Sequence, residues 1–355
     1  MTNFDEYIRQ GEPSRKEKAQ IWQTAIGLQD VDGLKPSEYL LQTARENIEG
    51  DITIDEVKKR IDSYYKQQSS RQNAETERTE EADKVSARIT EILSNNTFSF
   101  SPLEYINIHR RLFTGIYKFA GKIRDYNITK NEWVLTGKSV FYPDCSMISQ
   151  TLDYDFAQEK QFDYGQLDVV QSVQHIAKFI SGLWQIHAFG EGNTRTTAVF
   201  AIKYLRSFGF EINNTLFAAY SWYFRNALVR ANYNDLKNNI KATTEYLMKF
   251  FGNLLLGEKN ELKNRYMLVG GEFQSAISSD NDVSKSKICT LNCTLEEFFV
   301  LDFLKENPKA TQKEIALHIK KSERTVKTLT TALQEKGLLE RKNGKRNGFW
   351  KILNS

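Results

Sequence analysis

His187-Ala188-Phe189-Gly190-Glu191-Gly192-Asn193-Thr194-Arg195 places a base, an acid, two glycines, an amide and a cation in one short stretch. The flanking sequence is helical in period. Leu167, Val170, Gln174, Ala177, Ile180, Leu183 and Trp184 recur at helix spacing before it, and Val199, Ile202, Leu205 and Arg206 after it. The pattern predicts a helix, a tight loop and the N-terminus of a second helix. Free backbone N–H groups at the positive end of a helix dipole attract anions. Gly190 and Gly192 let backbone approach a ligand closely. Arg195, on the first helical turn, is placed to hold a phosphate as a fork. Glu191 offers a hard oxygen ligand for Mg²⁺, and Asn193 can orient a phosphate or a metal-bound water. Thr194 tolerates a left-handed backbone poorly, but at the start of a helix it costs little and its hydroxyl adds a phosphate contact. His187 titrates near neutrality and is the natural general base for an incoming hydroxyl. These parts together predict transfer of a phosphate-containing group.

Outward from this stretch, the 355-residue chain reads as mainly α, in more than one domain. Residues 1–66 predict a small helical domain, with Ser37 as an N-cap after Pro36 and a capping box from Thr53 to Glu56. Residues 67–257 predict a helical catalytic domain. Within it, Pro102 opens a helix after Ser101, and Gly209 closes the helix that follows the loop. Residues 128–141 differ: Trp133, Leu135, Val140 and Phe141 surround Lys130-Asn131 and Thr136-Gly137, which predicts a β-hairpin with Trp133 and Leu135 exposed. Residues 258–292 lose periodicity and read as a linker. Residues 293–355 predict three helices, the last being Ser322–Leu333, and a hairpin with a basic tip from Arg341 to Arg346. That is the layout of a winged helix-turn-helix.

Charge divides unevenly. Residues 293–355 hold 13 Lys/Arg against 8 Asp/Glu, while the rest of the chain holds 36 against 37. A basic module on a near-neutral body predicts DNA contact there, with Arg324, Lys327, Thr328 and Thr331 reaching bases and Lys342, Lys345 and Arg346 on phosphates. The three cysteines, Cys145, Cys289 and Cys293, are too few for a disulfide framework and fit a reducing compartment. No apolar run is long enough to span a bilayer, so the expected location is cytoplasmic. Of the four histidines, His109, His175 and His318 read as ordinary helix residues.

The loop resembles the signature of the Fic family, His-Pro-Phe-x-(Asp/Glu)-Gly-Asn-Gly-Arg. His187, Phe189, Glu191, Gly192, Asn193 and Arg195 match it. Ala188 and Thr194 depart from it, and Ala198 stands where many members carry a second Arg. Glu81-Ala-Asp-Lys-Val-Ser-Ala-Arg-Ile, Ile108-His-Arg-Arg-Leu-Phe, Ala120-Gly-Lys-Ile-Arg124 and Tyr223-Phe-Arg-Asn-Ala-Leu also resemble the family, over roughly residues 67–257. The resemblance implies a protein adenylyltransferase that moves AMP from ATP, with Mg²⁺, onto a Ser, Thr or Tyr hydroxyl. It implies His187 as base, Glu191 as metal carboxylate, Gly190, Gly192, Asn193 and Thr194 along the anion hole, Arg195 on the phosphates, and Tyr223 and Asn226 on the nucleotide side. It also implies a flap, here 128–141, where a target segment pairs. Transfer of another phosphate-containing group, or a nucleotide-sensing DNA-binding regulator, stays open as an alternative. So does a homodimer as a further partner state. Residues 1–66 resemble the small antitoxin partner of some Fic toxins. Asp32-Gly33 sits where an inhibitory Glu-Gly falls, one methylene short, with Leu28 in place of Ser or Thr.

Overall fold

The computed structural model describes residues 4–67, 74–210, 212, 215–270, 293–343 and 348–353. Two compact units emerge. The first comprises residues 1–160 and 179–274, the second residues 161–178 and 275–355. The helices in chain order are α1 (Asp5–Gln10), α2 (Pro13–Gly27), α3 (Glu38–Glu49), α4 (Ile54–Gln67), α5 (Ala74–Ser94), α6 (Pro102–Phe113), α7 (Ile148–Gln161), α8 (Val169–Ile186), α9 (Asn193–Phe208), α10 (Thr215–Ala231), α11 (Glu245–Leu255), α12 (Leu295–Glu306), α13 (Gln312–His318) and α14 (Glu323–Glu335). The strands β1 (Leu339–Lys342) and β2 (Phe349–Ile352) pair antiparallel, Leu339 opposite Ile352. No helix among the described residues is long and apolar enough to cross a membrane.

Residues 1–66 fall within the first unit, with α2 packed on α5 and α10. Trp22, Leu40, Ala44, Ile48, Val57 and Ile61 share one core cluster with Ala87 of α5. Gly27 ends α2 where a Cβ would fall 2.4 Å from Cα of Ala218; only glycine lets the two backbones touch there. Ser37 caps α3, accepting the Leu40 N–H, and Thr53 and Glu56 bond each other's backbone at the start of α4. The buried Asp83 of α5 then ties these helices down. It accepts the Ser37 N–H at 2.8 Å, the Ser37 hydroxyl, and the Tyr65 hydroxyl at 2.7 Å. A buried carboxylate is tolerable only when it is satisfied in this way.

Residues 128–141 form no β-ladder. The chain does reverse, through a short 3₁₀ turn at Trp133–Leu135 with Thr136 and Gly137 both left-handed. Across the reversal Glu132 donates its N–H to Lys138 C=O at 3.0 Å and accepts the Gly137 N–H at 3.1 Å, but no ladder extends from this pair. Val134 and Leu135 are both fully buried, and two successive inward side chains break the period of 2 that a strand requires. Leu135 is therefore core, while Trp133 is half exposed.

The second unit has the expected winged-helix parts. Thr294/Glu297 and Thr311/Glu314 form capping boxes on α12 and α13, and Ser322 caps α14. Trp350 of β2 donates its indole N–H to Ala310 C=O at 3.0 Å, closing the strand pair on the helices. Arg324, Lys327, Thr328 and Thr331 are all exposed on α14. Lys345, Arg346 and Cys289 lie outside the described residues. Cys293 is buried, and burial, with Glu297 adding to it, pushes its thiol up to about 12, so it stays protonated.

Candidate active site

The stretch His187–Arg195 forms the predicted loop between α8 and α9. Its shape is set by four separate ties. His187 takes a positive φ of 48°, unusual for a residue with a Cβ. Its carbonyl accepts Arg124 Nε at 2.8 Å, while the Arg124 N–H donates to Ala188 C=O at 2.9 Å. The other arms of Arg124 bind the carbonyls of Tyr126 and Pro143, the two ends of the 128–141 reversal. Asn193 closes the loop on itself: Oδ1 accepts the Phe189 N–H at 3.0 Å and Nδ2 donates to Phe189 C=O at 2.7 Å. His109 completes the set. Its Nδ1 accepts the Gly121 N–H at 2.8 Å, so Nε2 carries the proton and donates to Glu191 C=O at 3.0 Å. Its ring stacks on Phe189 at 3.7 Å.

This assigns jobs that spacing did not reveal. Asn193 is occupied as a loop staple, and its side chain is not offered to a ligand. The Thr194 hydroxyl accepts the Trp184 indole N–H at 3.0 Å. Thr194 is helical, as its position predicts, and its oxygen is spent on packing. His109 and Arg124 position the loop; both lie in strings that carried the family resemblance. Gly192 is the left-handed N-cap of α9, φ 79°, with Phe113 where a Cβ would be. Gly190 faces the Tyr126 hydroxyl. Ala198 is fully buried.

Burial decides the state of both histidines. Burial, helped by the nearby Lys130, holds His187 well below the ordinary histidine range, so the ring is neutral near pH 7. Its Nδ1 is buried without a hydrogen-bond partner. The ring lies under Tyr142, centroids 4.5 Å apart, and beside Trp184. Burial pushes His109 down to about 4. Because the unfolded chain protonates this residue near pH 6.5, the stability it contributes is complete above that pH and is lost as pH falls toward 4. Wild-type protein should therefore lose on the order of 3 kcal/mol more than His109→Gln between pH 7 and pH 4. Urea midpoints at the two pH values check this; equal losses would remove His109 from the acid response.

A cavity of about 760 Å³ opens beside the loop, a size that suits a nucleotide-sized ligand. Asp30, Val31, Asp32, Gly33 and Leu34 line it from the N-terminal segment. Arg78, Glu81, Tyr117, Glu191, Arg195, Trp222 and Arg225 line it from the remainder. His187 is not part of this lining and is almost fully buried. Gly192 gives α9 no side-chain cap, so the first amides of the helix keep no internal partner. Arg195 is almost fully buried and heavily engaged. Its Nη2 lies 2.6 Å from Glu81 Oε1, its Nη1 donates to Gln29 Oε1 at 3.0 Å, and its face lies over Phe113. Its Nε is 2.8 Å from Asp32 Oδ2, yet no acceptor lies in line with that N–H. The Asp32 contact is therefore an ion pair and not an aligned hydrogen bond. Burial alone would lower the Arg195 pKa, but Asp32, Tyr117 and Glu81 together raise it.

Tyr223 and Asn226 do not line the cavity. The Tyr223 hydroxyl donates to Tyr246 C=O within the core, and Asn226 Nδ2 donates to Asn264 Oδ1 in a partly buried pair. Trp222 and Arg225 of the same helix face the cavity. Glu191 is exposed and pairs with Lys130 at 3.0 Å. No cluster of three or more His, Cys, Asp or Glu suited to a metal occurs among the described residues. One exposed carboxylate beside a cavity fits a Mg²⁺ ion that arrives with phosphate oxygens and water, and does not fit a resident metal.

Residues 99–205 match the model of the Fic/DOC family, and residues 300–340 that of a winged helix-turn-helix DNA-binding family. The chain carries a Fic domain. That domain holds the whole loop, with His109, Arg124 and Lys130, and its membership makes a Fic-type transferase the coarse activity. A Fic family protein from Desulfovibrio desulfuricans G20 is similar over 99% of this chain and 93% of its own, at 11% identity and a TM-score of 0.44. No curated protein matches the chain.

Proposed function

We propose that the Fic domain transfers AMP from ATP to a Ser, Thr or Tyr hydroxyl of a target protein. The observation that carries this reading is the uncapped start of α9 beside Arg195 and Glu191, at a cavity of about 760 Å³. In the reaction the target hydroxyl oxygen forms a bond to the α-phosphorus, the bond from that phosphorus to the bridging oxygen breaks, and pyrophosphate leaves. The neutral His187 ring accepts the hydroxyl proton. The α9 amides near Gly192, Asn193 and Thr194 hold phosphate oxygens. Arg195 takes the distal phosphates once Asp32 gives way. Glu191 holds Mg²⁺, which when bound neutralises phosphate charge, and Lys130 must release that carboxylate. The target docks on 128–141 through exposed Trp133 and Phe141. Intact-mass spectrometry of the full chain and of Asp32→Ala, each with ATP and Mg²⁺, tests the reading. A gain of one AMP is expected. A gain of a different phosphate-bearing group names another donor, and no gain in either protein sinks the proposal.

A second proposal concerns the winged helix. Its exposed Arg324 and Lys327, on a module with a basic surplus, favour DNA as a partner. The full chain should bind duplex DNA with an affinity that falls steeply between low and moderate salt. Anisotropy titrations check it: Arg324→Ala/Lys327→Ala should weaken binding about tenfold or more. Unchanged binding would move the contact off α14.

A further inference from the structure

Two of the three arginines on the cavity wall are committed to the N-terminal segment. Arg195 is held by Asp32, Glu81 and Gln29, and Arg78 Nη2 donates to the carbonyls of Asp32 and Gly33 at 2.9 and 3.2 Å. Arg225 is arranged differently. Its Nη1 lies 2.9 Å from Oε2 of Glu132, and its guanidinium carbon stands 5.2 Å from the ring centroid of Trp222. Glu132 is fully buried, and its backbone is fixed within its own loop: it donates to Lys138 C=O and accepts from the Leu135 and Gly137 N–H groups. The carboxylate thus stands on an anchored stretch of backbone and meets Arg225 through one nitrogen as an ion pair, not an aligned hydrogen bond. The planar fork keeps its other N–H donors, and Arg225 and Trp222 both face the cavity.

A buried acid paired with a single arginine, with an indole ring 5.2 Å from the guanidinium carbon, holds a cation in place without saturating it. We infer that Arg225, aimed by Glu132 and Trp222, binds the phosphate chain of the nucleotide in this cavity, at a contact separate from Arg195. This rests on the nucleotide-transfer reading and names a further group for it. Because Arg225 does not depend on the N-terminal segment for its orientation, it is available to ATP while Arg195 is still held by Asp32. It therefore acts as the first phosphate contact.

Calorimetric titration of the full chain with ATP and, separately, with adenosine tests the inference. Arg225→Ala should weaken ATP binding about tenfold or more and leave adenosine binding near wild type. Arg225→Lys should fall between the two. The truncation leaves Glu132 buried and unpaired, so a neutral double variant, Glu132→Gln/Arg225→Gln, separates anion binding from folding. With a thermal midpoint near wild type it should show the same loss for ATP. Wild-type ATP affinity in the folded double variant would show that Arg225 serves only to neutralise Glu132, and would overturn the inference. Unchanged ATP affinity in Arg225→Ala would overturn it alone. Absence of ATP binding by both the wild-type chain and Asp32→Ala would remove the nucleotide reading itself.

Discussion

Asp32→Ala should raise AMP transfer about tenfold or more and tighten ATP binding in the same proportion. Asp32 Oδ2 stands 2.8 Å from Arg195 Nε, and Asp32 lines the cavity that the nucleotide would enter. A phosphate that uses Arg195 must first separate this pair, so part of its binding energy is spent on displacement. Removing Asp32 leaves Arg195 with Glu81 as a counter-charge, so no buried cation is orphaned and the fold should hold. Asp32→Glu serves as the reverse control: the longer acid should hold Arg195 at least as firmly and give no gain. Steady-state transfer from α-labelled ATP measures both. Equal rates in wild type and Asp32→Ala would show that the pair does not limit the reaction.

The second large effect is a loss. His187→Ala should lower transfer by at least ~10²-fold while ATP affinity stays within about twofold. The ring is neutral by burial, its Nδ1 lacks a partner, and it does not line the cavity wall. In the proposed mechanism this ring meets the attacking hydroxyl and not the bound nucleotide, so its removal should appear in kcat and not in ATP binding. His187 also takes a positive φ that alanine tolerates less well, so His187→Asn, which accepts that backbone more readily, should be made in parallel. Full transfer by either folded variant would take His187 out of the proton step. Loss of ATP binding in both would instead make it a structural support of the anion loop.

The helix–loop–helix was readable because apolar periodicity runs up to His187 and resumes after Arg195. The winged helix was readable from three amphipathic runs, the cap at Thr311–Glu314 and a basic hairpin, while the second capping box, Thr294/Glu297, emerged only with the structure. The caps at Ser37, Ser101 and Ser322 follow from short polar side chains that accept backbone N–H groups. Other features were hidden for identifiable reasons. Tyr223 and Asn226 read as ligand residues, but α10 is broken at Tyr220, where φ is −132°. The break resets the helical phase, so that Trp222 and Arg225 turn to the cavity, and no Gly or Pro marks it. The expected hairpin at 128–141 failed because Glu132, Val134 and Leu135 all turn inward, and a buried glutamate is recognisable only once Arg225 is in place. His109 looked like one more helix residue, since its two partners, Gly121 N–H and Glu191 C=O, are backbone groups with no signature in residue type. Asp32 was singled out by resemblance alone; no spacing rule joins it to Arg195.

The touching backbones of Gly27 and Ala218, with Asp83 fastened to Ser37 and Tyr65, anchor the segment that carries Asp32 to the body that carries Arg195. A partner that binds and leaves has an occupancy that changes with dilution. An acid anchored this way has a fixed effective concentration at Arg195. Restraint of the transferase should then be the same in a crowded and a sparse solution, and no titration of protein should relieve it. Relief would then come from the ATP level or from local remodelling of the turn Leu28–Asp32, which is 3₁₀ and so has poorer hydrogen-bond geometry than an α-helix. If Asp32→Ala gives the expected gain, ATP in this chain competes with a tethered acid and not with a dissociable one.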